Sequence, residues 1–169
     1  MKKLITFIFA CLLGLSMTYA QTFSDDFESY TVGSYLGPQS SNWRTWSGAG
    51  GGTDDVYVVS TDNHTTGGSK SIYFSSTAAT GGPSDCVLPF NATPLTTWQF
   101  NFSAWFKIPS GKDAYFNFQG NATMGNMYTL DCFMNANGSV SIQNSGTEVF
   151  ANTHPFGQWF KLSRSKSVV

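Results

Sequence analysis

Residues 97–119 read TWQFNFSAWFKIPSGKDAYFNFQ, and their alternation decides the fold class. Even positions are Trp98, Phe100, Phe102, Ala104, Phe106 and Ile108; odd positions are Gln99, Asn101, Ser103, Trp105 and Lys107. Successive side chains of a strand point to opposite faces, so a period of two predicts a strand with one buried face. Pro109-Ser110-Gly111-Lys112-Asp113 reads as a turn, because proline presets φ, glycine permits φ > 0 and aspartate bonds its own backbone. A return strand follows, with Ala114, Phe116 and Phe118 on one face and Tyr115, Asn117 and Gln119 on the other. The spacing predicts a β-hairpin in which Ile108 lies opposite Ala114, Phe106 opposite Phe116 and Ala104 opposite Phe118.

On that register Asn101, Trp105, Tyr115, Asn117 and Gln119 share the reverse face, with Trp43 or Trp46 at its edge. Flat rings beside amides suit sugars, whose C–H faces stack on aromatics while their hydroxyls hydrogen-bond. The competing reading is that loops of the same chain cover Trp105 and Tyr115, since sandwich proteins bury aromatics on both faces.

Residues 1–20 have the pattern of a secretory signal: Lys2 and Lys3, an apolar run from Leu4 to Leu15, and Thr18-Tyr19-Ala20 before Gln21. That run is too short to span a bilayer, and no later stretch is apolar enough to do so. Without it the chain keeps seven Lys and Arg against ten Asp and Glu, a net charge of −3. Basic clustering of the kind that binds nucleic acid is missing. A content of 16 % aromatic residues argues against disorder. Short apolar runs recur along the remainder, with turn signals such as Asn137-Gly138 and Ser145-Gly146 between them. This pattern predicts one all-β domain over 21–162, an antiparallel sandwich or jelly roll of about a dozen strands.

Catalytic patterns are sparse. G-x-S-x-G and H-E-x-x-H do not occur, and His64 and His154 lack the spacing of a zinc pair. Glu28 and Glu148 are the two glutamates, far apart in sequence, and Asp131 is the one carboxylate well inside a predicted central strand. A lone strand aspartate is more often a hydrogen-bonded residue than a catalyst. Asp25, Asp26, Glu28, Asp54, Asp55 and Asp85 supply the hard oxygens that a structural calcium needs, and they serve equally as solvated loop carboxylates. Export permits a disulfide between Cys86 and Cys132, and each also reads as a small buried hydrophobe.

Several motifs resemble one family. These are Phe27-Glu28-x-Tyr30-x-x-Gly33, Trp43-x-x-Trp46, Gly68-Ser69-x-Ser71-Ile72-x-Phe74, Ile108 to Lys112, Tyr115-Phe116-Asn117 and Gly157-Gln158-Trp159. Together they resemble the concanavalin A-like (laminin-G-like) jelly-roll modules of secreted bacterial proteins, often found beside type IX sorting domains. The resemblance spans about residues 23–162 and implies fold more than function, because this superfamily holds lectins, adhesion modules and glycoside hydrolases alike. It also implies a structural calcium near the N-terminal strand. The expectation is a secreted or cell-surface module that binds glycan without catalysis. The alternatives are a glycoside hydrolase or polysaccharide lyase of the same fold, or a spacer domain. Residues 163–169, SRSKSVV, read as an irregular basic tail, and relatives of this kind continue with more strands, so a truncated chain is expected.

Overall fold

The computed structural model describes residues 23–48, 50–75, 82–90, 99–121 and 123–167, with the side chains of 99, 166 and 167 excepted. The expected signal segment 1–20 and Trp98 lie outside these residues. The architecture is all-β and antiparallel, with eight strands and one short 3-10 turn at Gly37–Gln39 among the described residues. Strands β1 (Tyr57–Val59) and β2 (Ser71–Tyr73) form a small ribbon. Strands β3 (Gln99–Lys107) and β8 (Trp159–Ser167) form a second sheet, in which Phe106 lies opposite Phe160 and Ala104 opposite Leu162. The third sheet is a meander of β4 (Ala114–Gln119), β5 (Tyr128–Met134), β6 (Ser139–Asn144) and β7 (Thr147–Thr153).

The predicted hairpin is a crossover. β3 and β4 belong to different sheets, and their phenylalanines meet across the core instead of side by side. Phe106 stacks on Phe116 at 5.7 Å between centroids and 10°, while Phe102 lies 5.1 Å from Phe116 and 5.2 Å from Phe118. The inner faces follow the alternation, whereas the pairing is not that of a hairpin. Two features redirect the chain. Pro109 has no N–H to continue a ladder, and the Asp113 carboxylate accepts the Ala136 N–H, tying the end of the turn to the β5–β6 turn. Leu130, Cys132, Met134, Val140 and Ile142 complete this core from β5 and β6.

A second, smaller core gathers Leu36, Val56 and Val58, with Phe27, Tyr30, Trp43, Ile72 and Cys86 packed around it. Trp43 to Trp46 and Cys86 to Phe90 form no extended strands and meet in one bridge between Arg44 and Val87. Cys86 and Cys132 are unbridged thiols in separate cores. Burial raises both, Cys86 to about 12 and Cys132 to about 11, so they act as small apolar groups. The expected irregular tail is also corrected: Ser163 to Ser167 continue β8 along β3, from Ser103 opposite Ser163 to Gln99 opposite Ser167.

Candidate functional site

The crossover separates the residues that the hairpin reading grouped. Asn101 and Trp105 lie on the outer face of the β3–β8 sheet, whereas Tyr115, Asn117 and Gln119 lie on the outer face of β4–β7. Trp105 is 43 % exposed, yet His64 stacks on its ring at 3.4 Å and 18°. The same loop engages Lys107 through an ion pair from Asp62. A loop of the chain itself thus covers part of that face.

The outer face of the four-stranded sheet is organised differently. Its side chains form a row of hydrogen bonds that all run in one direction. The Gly125 N–H donates to Gln119 Oε1 at 2.7 Å, Gln119 Nε2 donates to Asn117 Oδ1 at 3.1 Å, and Asn117 Nδ2 donates to Tyr115 Oη at 3.1 Å. Tyr115 Oη then donates to Asp131 Oδ1 at 2.5 Å. Each amide uses one oxygen and one N–H within the row, so its orientation is fixed by its neighbours and a second N–H remains for a ligand. Among the described residues no donor reaches the other carboxylate oxygen of Asp131.

Two β-bulges shape this face. Phe118 pairs with Leu130 but Gln119 pairs with Tyr128, which makes Thr129 the extra residue. Simple alternation from Leu130 would turn Tyr128 into the core; the extra residue resets the parity and brings Tyr128 to the side of Gln119. Likewise Ile142 pairs with Phe150 but Gln143 with Glu148, so Val149 is extra and Glu148 joins the outer face. There Glu148 Oε2 accepts the Ser141 hydroxyl at 2.6 Å. Sequence reasoning did not single out Tyr128, because a bulge leaves no trace in a period-two count.

Aromatic rings border the row. Tyr115 packs on Phe133 at 5.0 Å between centroids and is 48 % exposed. At the other end Trp46 and Tyr128 meet the 123–126 turn at Gly125, which has φ +79°. A Cβ on Gly125 would stand 3.1 Å from Trp46 Cζ2 and 3.7 Å from Tyr128 Oη, so both positive φ and close approach require glycine here. Four expected residues, Trp46, Tyr115, Asn117 and Gln119, therefore border or form one surface, joined by Tyr128 and Asp131. Burial, with the Asp131 hydrogen bond second, pushes Tyr115 up to about 12. That direction keeps the phenol protonated at neutral pH, opposite to what a tyrosine base requires.

The six carboxylates expected to hold calcium fall into two groups, and each accepts protein hydrogen bonds. Asp25 takes the Phe27 N–H, the Tyr30 hydroxyl and Trp43 Nε1; Asp26 takes the Glu28 N–H; Glu28 takes the Ser69 and Lys70 N–H groups. Asp54 accepts from Ser47, and Asp85 from the Trp46 N–H. Asp55, 3 % exposed, accepts the N–H groups of Gly37, Gly51 and Val56. Protein donors meet both oxygens of Asp25, Glu28 and Asp55, and among the described residues no three His, Cys, Asp or Glu side chains converge as a metal site.

Comparison with known proteins adds no relative: no family model matches the chain, and neither a curated protein nor a solved structure is detectably similar to it.

Proposed function

We propose that this chain is a carbohydrate-binding or adhesion module without catalytic activity, exported to the medium or the cell surface, and of the concanavalin A-like jelly-roll kind. The observation that carries the reading is the directional row from Gly125 to Asp131 on the outer face of β4–β7, bordered by Tyr115, Tyr128 and Trp46. Aligned amides with spare N–H groups beside exposed rings offer a glycan both hydroxyl partners and stacking surfaces. Because the row is preformed, few side chains need ordering on binding. A structural calcium would have to displace the donors around Asp25 or Asp55. A melting temperature unchanged by chelator retires that part of the proposal, since an ion bound only to the native state must raise it.

One observation favours the hydrolase alternative. Asp131 and Glu148 both face outward and both pair across to Gln143, two strand spacings apart. Strand spacing puts their backbones about 9.6 Å from each other, comparable to the roughly 6.5–9.5 Å between carboxyl groups of inverting glycosidases. The test is to incubate the purified chain with a polysaccharide panel. Retention without new reducing or unsaturated ends, weakened at least fivefold by Gln119→Ala or Trp46→Ala, supports the binding module. New ends that vanish with Glu148→Gln would establish the hydrolase instead, and no retention on any polysaccharide would leave a spacer domain.

A further inference from the structure

We infer that the outer face of β4–β7 takes uncharged glycan chains and turns away polyanionic ones, such as polyuronates and sulfated polysaccharides. This inference rests on the carbohydrate reading above. Charge is segregated between the sheets. β4, β5, β6 and β7 contain Asp131 and Glu148 and no Lys, Arg or His. β3 and β8 contain Lys107, Lys161, Arg164 and Lys166 and no carboxylate. Both carboxylates of the four-stranded sheet lie on its outer face. Asp131 is the hydrogen-bond sink of the row, and Glu148 arrives there through the bulge at Val149.

The consequence follows from the donors and acceptors available. An uncharged sugar can donate a hydroxyl to the second oxygen of Asp131 and accept from the spare N–H groups of Asn117 and Gln119. A sugar carboxylate or sulfate can only accept. On this face it would meet neutral amide donors and two anions, with no cation on the four strands to offset them. Arg44 and Lys112 lie outside these strands. Repulsion of this kind acts by choosing among partners more than by strengthening the right one.

The experiment compares the mature chain on a neutral glucan or mannan with its binding to a polyuronate and a sulfated polysaccharide, at about 0.01 M and 1 M salt, where the screening length falls from roughly 30 Å to 3 Å. We expect the neutral chain to bind equally in both. The polyanions should bind at least about tenfold more weakly at low salt, with the gap narrowing at high salt. Glu148→Gln, which leaves the row intact, should raise polyanion binding at low salt about threefold and leave neutral binding unchanged. Asp131→Asn keeps an acceptor for Tyr115 but turns the second oxygen into an N–H donor, so it should raise polyanion binding at low salt and weaken neutral binding; if it does not fold, Glu148→Gln decides alone. Polyanions bound as tightly as neutral chains, or weaker binding that ignores both salt and Glu148→Gln, overturns the inference and leaves the carbohydrate reading standing. Retention of no polysaccharide removes that reading and the inference with it.

Discussion

Residues 23–90 and residues 99–167 are held together by different means. The second region is strand against strand: six of the eight described strands lie there, and phenylalanines from facing sheets fill the space between them. The described residues of the first have two three-residue strands and three fully buried apolar side chains. Its loops are fastened by carboxylates that accept backbone N–H groups, above all Asp55, Asp25 and Glu28. A segment without apolar alternation cannot satisfy its backbone through ladders, so side-chain oxygens take over that role. Seven carboxylates against two basic residues in 23–90 are the compositional mark of this solution.

The comparison can be broken most severely at the Phe116 stack. Phe116→Ala should cost about 3–5 kcal/mol in chemical denaturation, because the ring meets Phe102 and Phe106 across the core. A loss under 1 kcal/mol would mean that the two sheets do not pack as described. Asp55→Ala should come next, at about 3 kcal/mol, since it orphans three backbone N–H groups bonded to a buried charge. Amide exchange should show that loss concentrated in 33–58; a loss spread evenly over β4–β7 would contradict the division. Trp105→Ala should cost only about 0.5–1.5 kcal/mol, the worth of an aromatic contact such as the one with His64. It should also leave unchanged the glycan binding proposed for the opposite sheet. Weakened binding in a folded Trp105→Ala variant would move the site to β3–β8.

Acid should give the smallest and most gradual effect. The Lys70 and Ser69 N–H groups hold Glu28 below the usual carboxylate range, and the Ser47 hydroxyl does the same for Asp54. A lowered native value means that the stabilisation is complete above the unfolded value, about pH 4, and is lost as pH falls through the native one. Asp85 has the opposite sign: burial raises it, so its protonation comes first and offsets part of the loss. Amide exchange corrected for its intrinsic pH dependence should show residues 23–75 loosening before β4–β7 between pH 5 and 3. Simultaneous loosening would argue against carboxylate fastening.

Much of the second region was legible from sequence, because Phe100, Phe102, Phe106, Phe116 and Phe118 alternate with polar residues and inward parity follows from a period of two. What pairs with what did not follow. Alternation is satisfied equally by a hairpin and by two strands in facing sheets, and Trp105 and Tyr115 ended on opposite outer surfaces for that reason. The site was half legible. Tyr115, Asn117, Gln119 and Asp131 stand where their parity put them, whereas Tyr128 and Glu148 reached the same face through single extra residues. In 23–90 the ordering comes from contacts such as Glu28 with Ser69, 41 residues apart, which no local pattern announces.

β7 closes the order β4-β5-β6-β7, and all seven of its residues are exposed, with Val149 at 48 % and Phe150 at 41 %. Thr147 to Thr153 include no lysine or proline to blunt the edge. A long border with free N–H and C=O groups invites a neighbouring chain to add its own strand, the first step toward fibres. The extra residue at Val149 breaks the regular spacing that such a template needs. The bulge that delivers Glu148 to the outer face therefore also acts as a guard against polymerisation. Deleting Val149 should increase the tendency of the chain to assemble on standing, as followed by sedimentation.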